Sequence, residues 1–133
     1  MVPPPILGIH HVTVPVTDAQ SAGDWYCQVF GFTTVLVEER ENAVVLVQLE
    51  HPSGILLHLR QSPRRAAAMR GSNVFAMSVE DLAALRDWHS HLTDLGIRHG
   101  QLHPAHLGWA LTIEGPDEQR VVLHTAEPLT GTD

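Results

Sequence analysis

The sequence contains no lysine; all eight of its basic residues are arginine. Schiff-base chemistry and lysine general bases are therefore excluded. Cysteine occurs once, so no intrachain disulfide can form, and Cys27, beside Trp25 and Tyr26, reads as a packed and inert thiol. Positive charge is scarce. Eight Arg stand against fifteen acidic residues for a formal net charge of −7, with no basic stretch beyond Arg64-Arg65 and Arg70. Such a surface repels nucleic acid. No apolar run approaches the ~18 residues of a membrane-spanning helix. Met1-Val2-Pro3-Pro4-Pro5 lacks the basic region and apolar core of a signal peptide. The expectation is a cytoplasmic protein that takes neither nucleic acid nor membrane as partner.

What is present is ordinary globular material with one excess. The chain has 133 residues and is 44% hydrophobic, enough for a single domain with a real core, and it carries ten histidines. Because some of that histidine count is composition, each His must be argued by position.

The chain reads as two copies of one pattern. Residues 8–60 give strand, helix and three strands, ending in Pro52-Ser53-Gly54 and Ile55–Arg60. Residues 72–125 repeat that order, ending in Gly115-Pro116-Asp117-Glu118 and Arg120–Thr125, with 61–71 as linker. A repeated unit that cannot bury its apolar face alone implies pairing of the copies. In the first copy the expected elements are a strand Ile9–Val16, a helix from N-cap Asp18 to Phe30 closed by Gly31, and strands Thr33–Glu39, Ala43–Glu50 and Ile55–Arg60. The linker has room for one short helical turn. In the second they are Asn73–Val79, a helix from Glu80 or Asp81 to Leu95 closed by Gly96, and strands Ile97–Leu102, Trp109–Glu114 and Arg120–Thr125. The helical stripes are Ala22, Trp25, Tyr26, Val29 and Phe30 in one, and Leu82, Leu85, Trp88, Leu92 and Leu95 in the other.

The fold class is thus α+β: two βαβββ repeats forming an eight-stranded curved mixed sheet, a cup, with the helices on its convex face. Strand alternation sorts the side chains. His11, Thr13, Pro15, Leu56, His58 and Arg60 face the cup in the first copy; Val74, Ala76, Ser78, Arg120, Val122 and His124 face it in the second. His10 falls on the face opposite His11. His89, His91 and His99 fall on exposed ends of elements. Trp109, following Gly108, would form a wall for stacking a flat ligand. Arg60 and Arg120 would receive a carboxylate or phosphonate. His103 and His106 would close over the pocket.

His11-Val-Thr-Val-Pro-Val-Thr-Asp18, the helix with Trp25-Tyr26 leading to Phe30-Gly31-Phe32, and Pro52-Ser-Gly-Ile-Leu-Leu-His58-Leu59 together resemble the vicinal oxygen chelate superfamily. That superfamily includes glyoxalases, bleomycin resistance proteins, fosfomycin resistance enzymes and extradiol dioxygenases. Ala76-Met-Ser-Val79 and Pro116-Asp117 with Val121-Val-Leu123 complete the likeness. The resemblance implies four equivalent ligand positions, which fall here on His11, His58, Val74 and Val122. The second copy thus carries valine where metal-bearing members carry donors. A shifted site of His11, His58 and His124 is an alternative that would supply three imidazoles to a divalent Zn, Ni, Mn or Fe ion.

Three readings follow from the resemblance. One is a glyoxalase/bleomycin-resistance-like protein that binds a small organic molecule in the cup without a firmly bound metal. The second is a divalent-metal-dependent lyase, isomerase, dioxygenase or antibiotic-modifying enzyme with His11 and His58 as ligands. The third is a metal-free isomerase or hydrolase with His58 as general base. A homodimer is implied in each case, since pairing covers the edge strands left at the ends of the sheet.

Overall fold

The computed structural model describes residues 1–126. Its elements run β1 (Val12–Val16), α1 (Ala19–Phe30), β2 (Thr33–Arg40), β3 (Ala43–Glu50), β4 (Leu56–Gln61), α2 (Pro63–Ala68), β5 (Asn73–Val79), α3 (Leu82–Leu95), β6 (His103–Ala105), β7 (Gly108–Glu114) and β8 (Arg120–Thr125). Local chemistry sets the helix ends. The Asp18 carboxylate accepts from the Ser21 N–H at 3.0 Å and Asp81 accepts from Ala84 N–H at 2.9 Å, each satisfying a donor the first turn leaves free. Gly31 and Gly96 close the helices at φ 82° and 73°, in the left-handed region where a Cβ is strained. The linker forms α2, with Pro63 in its first turn behind the Ser62 cap.

The eight strands divide into two four-stranded sheets, ordered β1-β4-β3-β2 and β5-β8-β7-β6, rather than hydrogen-bonding as one. In each, the first strand runs parallel to the last and the remaining neighbours are antiparallel. The registers match. Val12 opposes Leu57 as Phe75 opposes Val121, and the correspondence continues to Val16 with Gln61 and Val79 with Thr125. The repeat inferred from the sequence is thus visible pair by pair.

One apolar core runs through both copies, from Val14, Leu57 and Leu59 to Leu111, Ile113, Val121 and Leu123. Tyr26 stacks on Phe75 at 6.2 Å between ring centroids, and Phe30 lies 5.6 Å from Trp88. Hydrogen bonds also cross the seam. The buried Gln119 side chain donates to the Pro15 carbonyl at 2.7 Å, and Thr17 N–H donates to Asp117 Oδ2 at 2.9 Å.

Three expectations need correction. β1 begins at Val12, not Ile9, so the pleat does not extend to the tandem histidines. Residues 97–102 form only an isolated bridge, His99 to Ile113, and the edge strand moves to His103–Ala105. There His99 turns its ring to local partners, Gly100 O at 2.7 Å and Thr93 Oγ1 at 2.9 Å. Leu95, assigned to the buried stripe of α3, is 37% exposed, because the helix has reached its last turn and passed the sheet. No helix among the described residues is long and apolar enough to cross a membrane.

Candidate functional site

β4 lies between β1 and β3, so His58 sits mid-sheet with Thr13 and Gln48 as its neighbours across the strands. Leu57 and Leu59, fully buried beneath it, fix the alternation that turns His58 to the other face. His11 precedes β1 and lays its ring flat on His58, with centroids 4.0 Å apart and planes 18° from parallel. His10 joins them. Its Nδ1 is 3.0 Å from His11 Nδ1 and its ring meets His11 edge-on at 5.2 Å. His10 therefore lies beside His11 and not on the opposite face, since residues ahead of Val12 are not in the pleat. Tandem histidines after Gly8 were the available signal, but alternation was carried one step too far.

Burial holds the His58 imidazolium below its ordinary range, and positive charge on His11, His10 and Arg60 adds to the effect. The shift favours the neutral imidazole over the charged one. A cleft of about 560 Å³ opens at His10 and His11, in the seam where residues 53–56 approach β5. Its walls include Ile55, Leu56, Phe75 and Met77. Phe75 and Met77 were read from the sequence as packing residues alone.

The other expected site residues lie apart from this cluster. Val74 falls at a register irregularity between Asn73 and Phe75 and packs partly buried against the core. Val122 is half-buried between Ala76 and Thr112. By register it matches His58, as His124 matches Arg60: Ser78 opposes His124 where Pro15 opposes Arg60. His124 donates from Nδ1 to the Thr125 carbonyl at 2.8 Å. Arg120 is engaged, with Nε on Glu114 Oε2 at 3.1 Å and Nη1 on the Gly71 carbonyl at 3.3 Å. Arg60 is exposed and takes part in none of the salt bridges among the described residues. Trp109 shares the parity of buried Leu111 and Ile113, so it packs toward α3, in a separate cleft with Leu82, Arg86 and Leu102. It is not a wall of the histidine site. His103 and His106 are exposed.

The superfamily metal finds no full set of donors. Among the described residues no three His, Cys, Asp or Glu side chains are grouped to hold a metal ion, so His11, His58 and His124 do not converge within the chain. Stacked rings present faces to one another, not lone pairs to a shared point. With Val74 and Val122 at the second-copy positions, the residues present do not fit a three-ligand catalytic site.

The family model described as the Glyoxalase/Bleomycin resistance protein/Dioxygenase superfamily matches residues 8–123. The chain belongs to this superfamily. No curated protein matches it in a sequence search. Solved structures of the same fold do. Lactoylglutathione lyase from Agrobacterium tumefaciens is 19% identical at a TM-score of 0.74, over 92% of this chain and 96% of that one. TnmS3, an antibiotic binding protein from a Streptomyces species, is 18% identical at a TM-score of 0.70, over 90% and 96%. The fosfomycin resistance protein FosX from Listeria monocytogenes, solved with Mn(II) and sulfate, is 14% identical at a TM-score of 0.70, over 93% of each chain. At such identities the likeness is one of fold, and one fold serves many chemistries.

Proposed function

We propose that this member of the superfamily binds a small organic molecule in its cup without a firmly held metal, and does so as a homodimer. The reading is supported by the pair Val74 and Val122, which stand by register where His11 and His58 stand in the first copy, at the positions the resemblance assigns to ligands. If the copies pair between chains, each site joins the histidines of one chain to the valines of the other, and the donor count stays at two. The dimer is supported by β2, an edge strand whose Val35, Leu36 and Val37 are 56%, 46% and 37% exposed in succession. Apolar side chains exposed on both faces of one strand mark a surface that association would cover.

A second reading is supported by the stacked His58, whose pKa is lowered: a metal-free isomerase or hydrolase in which this imidazole takes a proton from bound substrate. The experiment begins with elemental mass spectrometry of tag-free protein, purified without chelator and then challenged with zinc, nickel, manganese and iron. No stoichiometric metal is expected. Near one metal per chain, lost in His11→Ala and in His58→Ala, overturns the proposal in favour of a metal-dependent enzyme. His58→Ala then separates the two metal-free readings, because a binding protein keeps much of its ligand affinity whereas an enzyme loses turnover by about two to four orders of magnitude.

A further inference from the structure

The cup face of the first sheet is chemically graded along β4. Leu56, His58 and Arg60 share that face, and at ~3.3 Å per residue the run covers about 13 Å. One end is the apolar part of the cleft, with Ile55, Leu56 and Met77. The middle is His58, on which the ring of His11 is stacked from the mouth of the cleft, with His10 beside it. The other end is Arg60, an exposed guanidinium in no salt bridge among the described residues.

No carboxylate among the described residues lies within salt-bridge reach of Arg60. The cleft has none in its walls. Glu50 shares the cup face but opposes Leu56, at the apolar end of the run. Glu38 opposes Leu46, two strands out from Arg60, and is already paired with Arg40 at 3.0 Å. Arg60 is the one charged group of the run Leu56, His58 and Arg60. In a chain of net charge −7 this is a local reversal.

We propose that the cup takes an elongated organic anion, a carboxylate or phosphonate held by Arg60 and the imidazole N–H groups with its apolar body directed along Leu56 into the cleft. This rests on the small-molecule reading above and narrows it to a ligand class. A planar guanidinium is suited to such a head group because it offers paired N–H donors in fixed geometry. Glu50 sets the direction, since an anionic head at the Leu56 end would face a like charge.

The test uses the full chain and three probes of one shape, 4-phenylbutanoate, 4-phenylbutanamide and 4-phenylbutylammonium, followed by saturation-transfer NMR and calorimetry. The acid is expected to bind about tenfold or more tightly than the amide, as one charge-assisted hydrogen bond provides, with the ammonium weakest. Arg60→Gln should close the gap between acid and amide while leaving the amide's affinity in place. Arg64→Gln, the same charge change on the exposed face of α2, should leave the gap open. Equal binding of acid and amide, or tighter binding of the ammonium, overturns the anion inference and leaves the small-molecule reading standing. A gap that persists in Arg60→Gln overturns the part given to Arg60. Failure of all three probes to bind folded protein overturns the anion inference, while the metal analysis above decides the small-molecule reading separately.

Discussion

The two copies share a scaffold and differ in what they hold up to the cup. Position by position, Thr13 and His58 in the first copy correspond to Ala76 and Val122 in the second, and Gln48 corresponds to Thr112. Beneath them the partners are alike: Leu57 and Leu59 match Val121 and Leu123, all buried. The outer strands differ too, with eight residues in β2 against three in β6. The apolar face is constrained by packing, where loss of even one methylene is felt. The cup face carries no such constraint, so it is there that the copies have separated.

The most forceful way to test that equivalence is to cut the core of each copy at the same place. Leu59→Ala and Leu123→Ala remove matched side chains that are 0% and 2% exposed. Each should lose about 2–5 kcal/mol in urea unfolding, within a single transition. Two separated transitions would show that the halves fold apart.

A smaller effect is expected at the seam. Gln119→Ala leaves the Pro15 carbonyl without its partner and should cost about 1–3 kcal/mol, measured the same way. A loss within error would mean that the apolar contacts alone join the halves. Asp18→Ala and Asp81→Ala remove corresponding helix caps and should cost about 1 kcal/mol each. A large inequality between them would break the comparison at the level of the helices.

The smallest effect concerns pH. The pKa of His58 is lower in the folded chain than its ordinary value of about 6.5, so below that pH the unfolded chain binds more protons. Its contribution to stability is therefore intact above about 6.5 and falls as pH drops through the lower folded value. His58→Gln should flatten that part of the stability profile, whereas Val122→Gln in the matched position should not. An unchanged slope in His58→Gln would show that other histidines set it.

Much of this was legible in the residues. Asp18 with Gly31, and Asp81 with Gly96, bracket the two helices as capping chemistry requires, and Ala43–Glu50, Asn73–Val79 and Arg120–Thr125 are strands over the expected spans. Period-two alternation correctly turned His58 away from Leu57 and Leu59. It failed at His10, ahead of β1, where the pleat was not there to enforce it. Trp109 was judged by its place after Gly108, although its parity with Leu111 and Ile113 already pointed to the α3 side. The contact of His11 with His58 joins residues 47 positions apart in sequence and rests on the parallel pairing of β1 with β4.

The ties across the seam use the backbone of Pro15 and Thr17, the side chains of Gln119 and Asp117, and the rings of Tyr26, Phe30, Phe75 and Trp88. None of these is a histidine of the cup. Side chains on the cup face can therefore differ between the copies, as His58 and Val122 do, without loosening the joint between the halves. In such a repeated chain the scaffold acts as a ratchet: each copy is free to change what it presents to the cup, yet neither is free to leave the other.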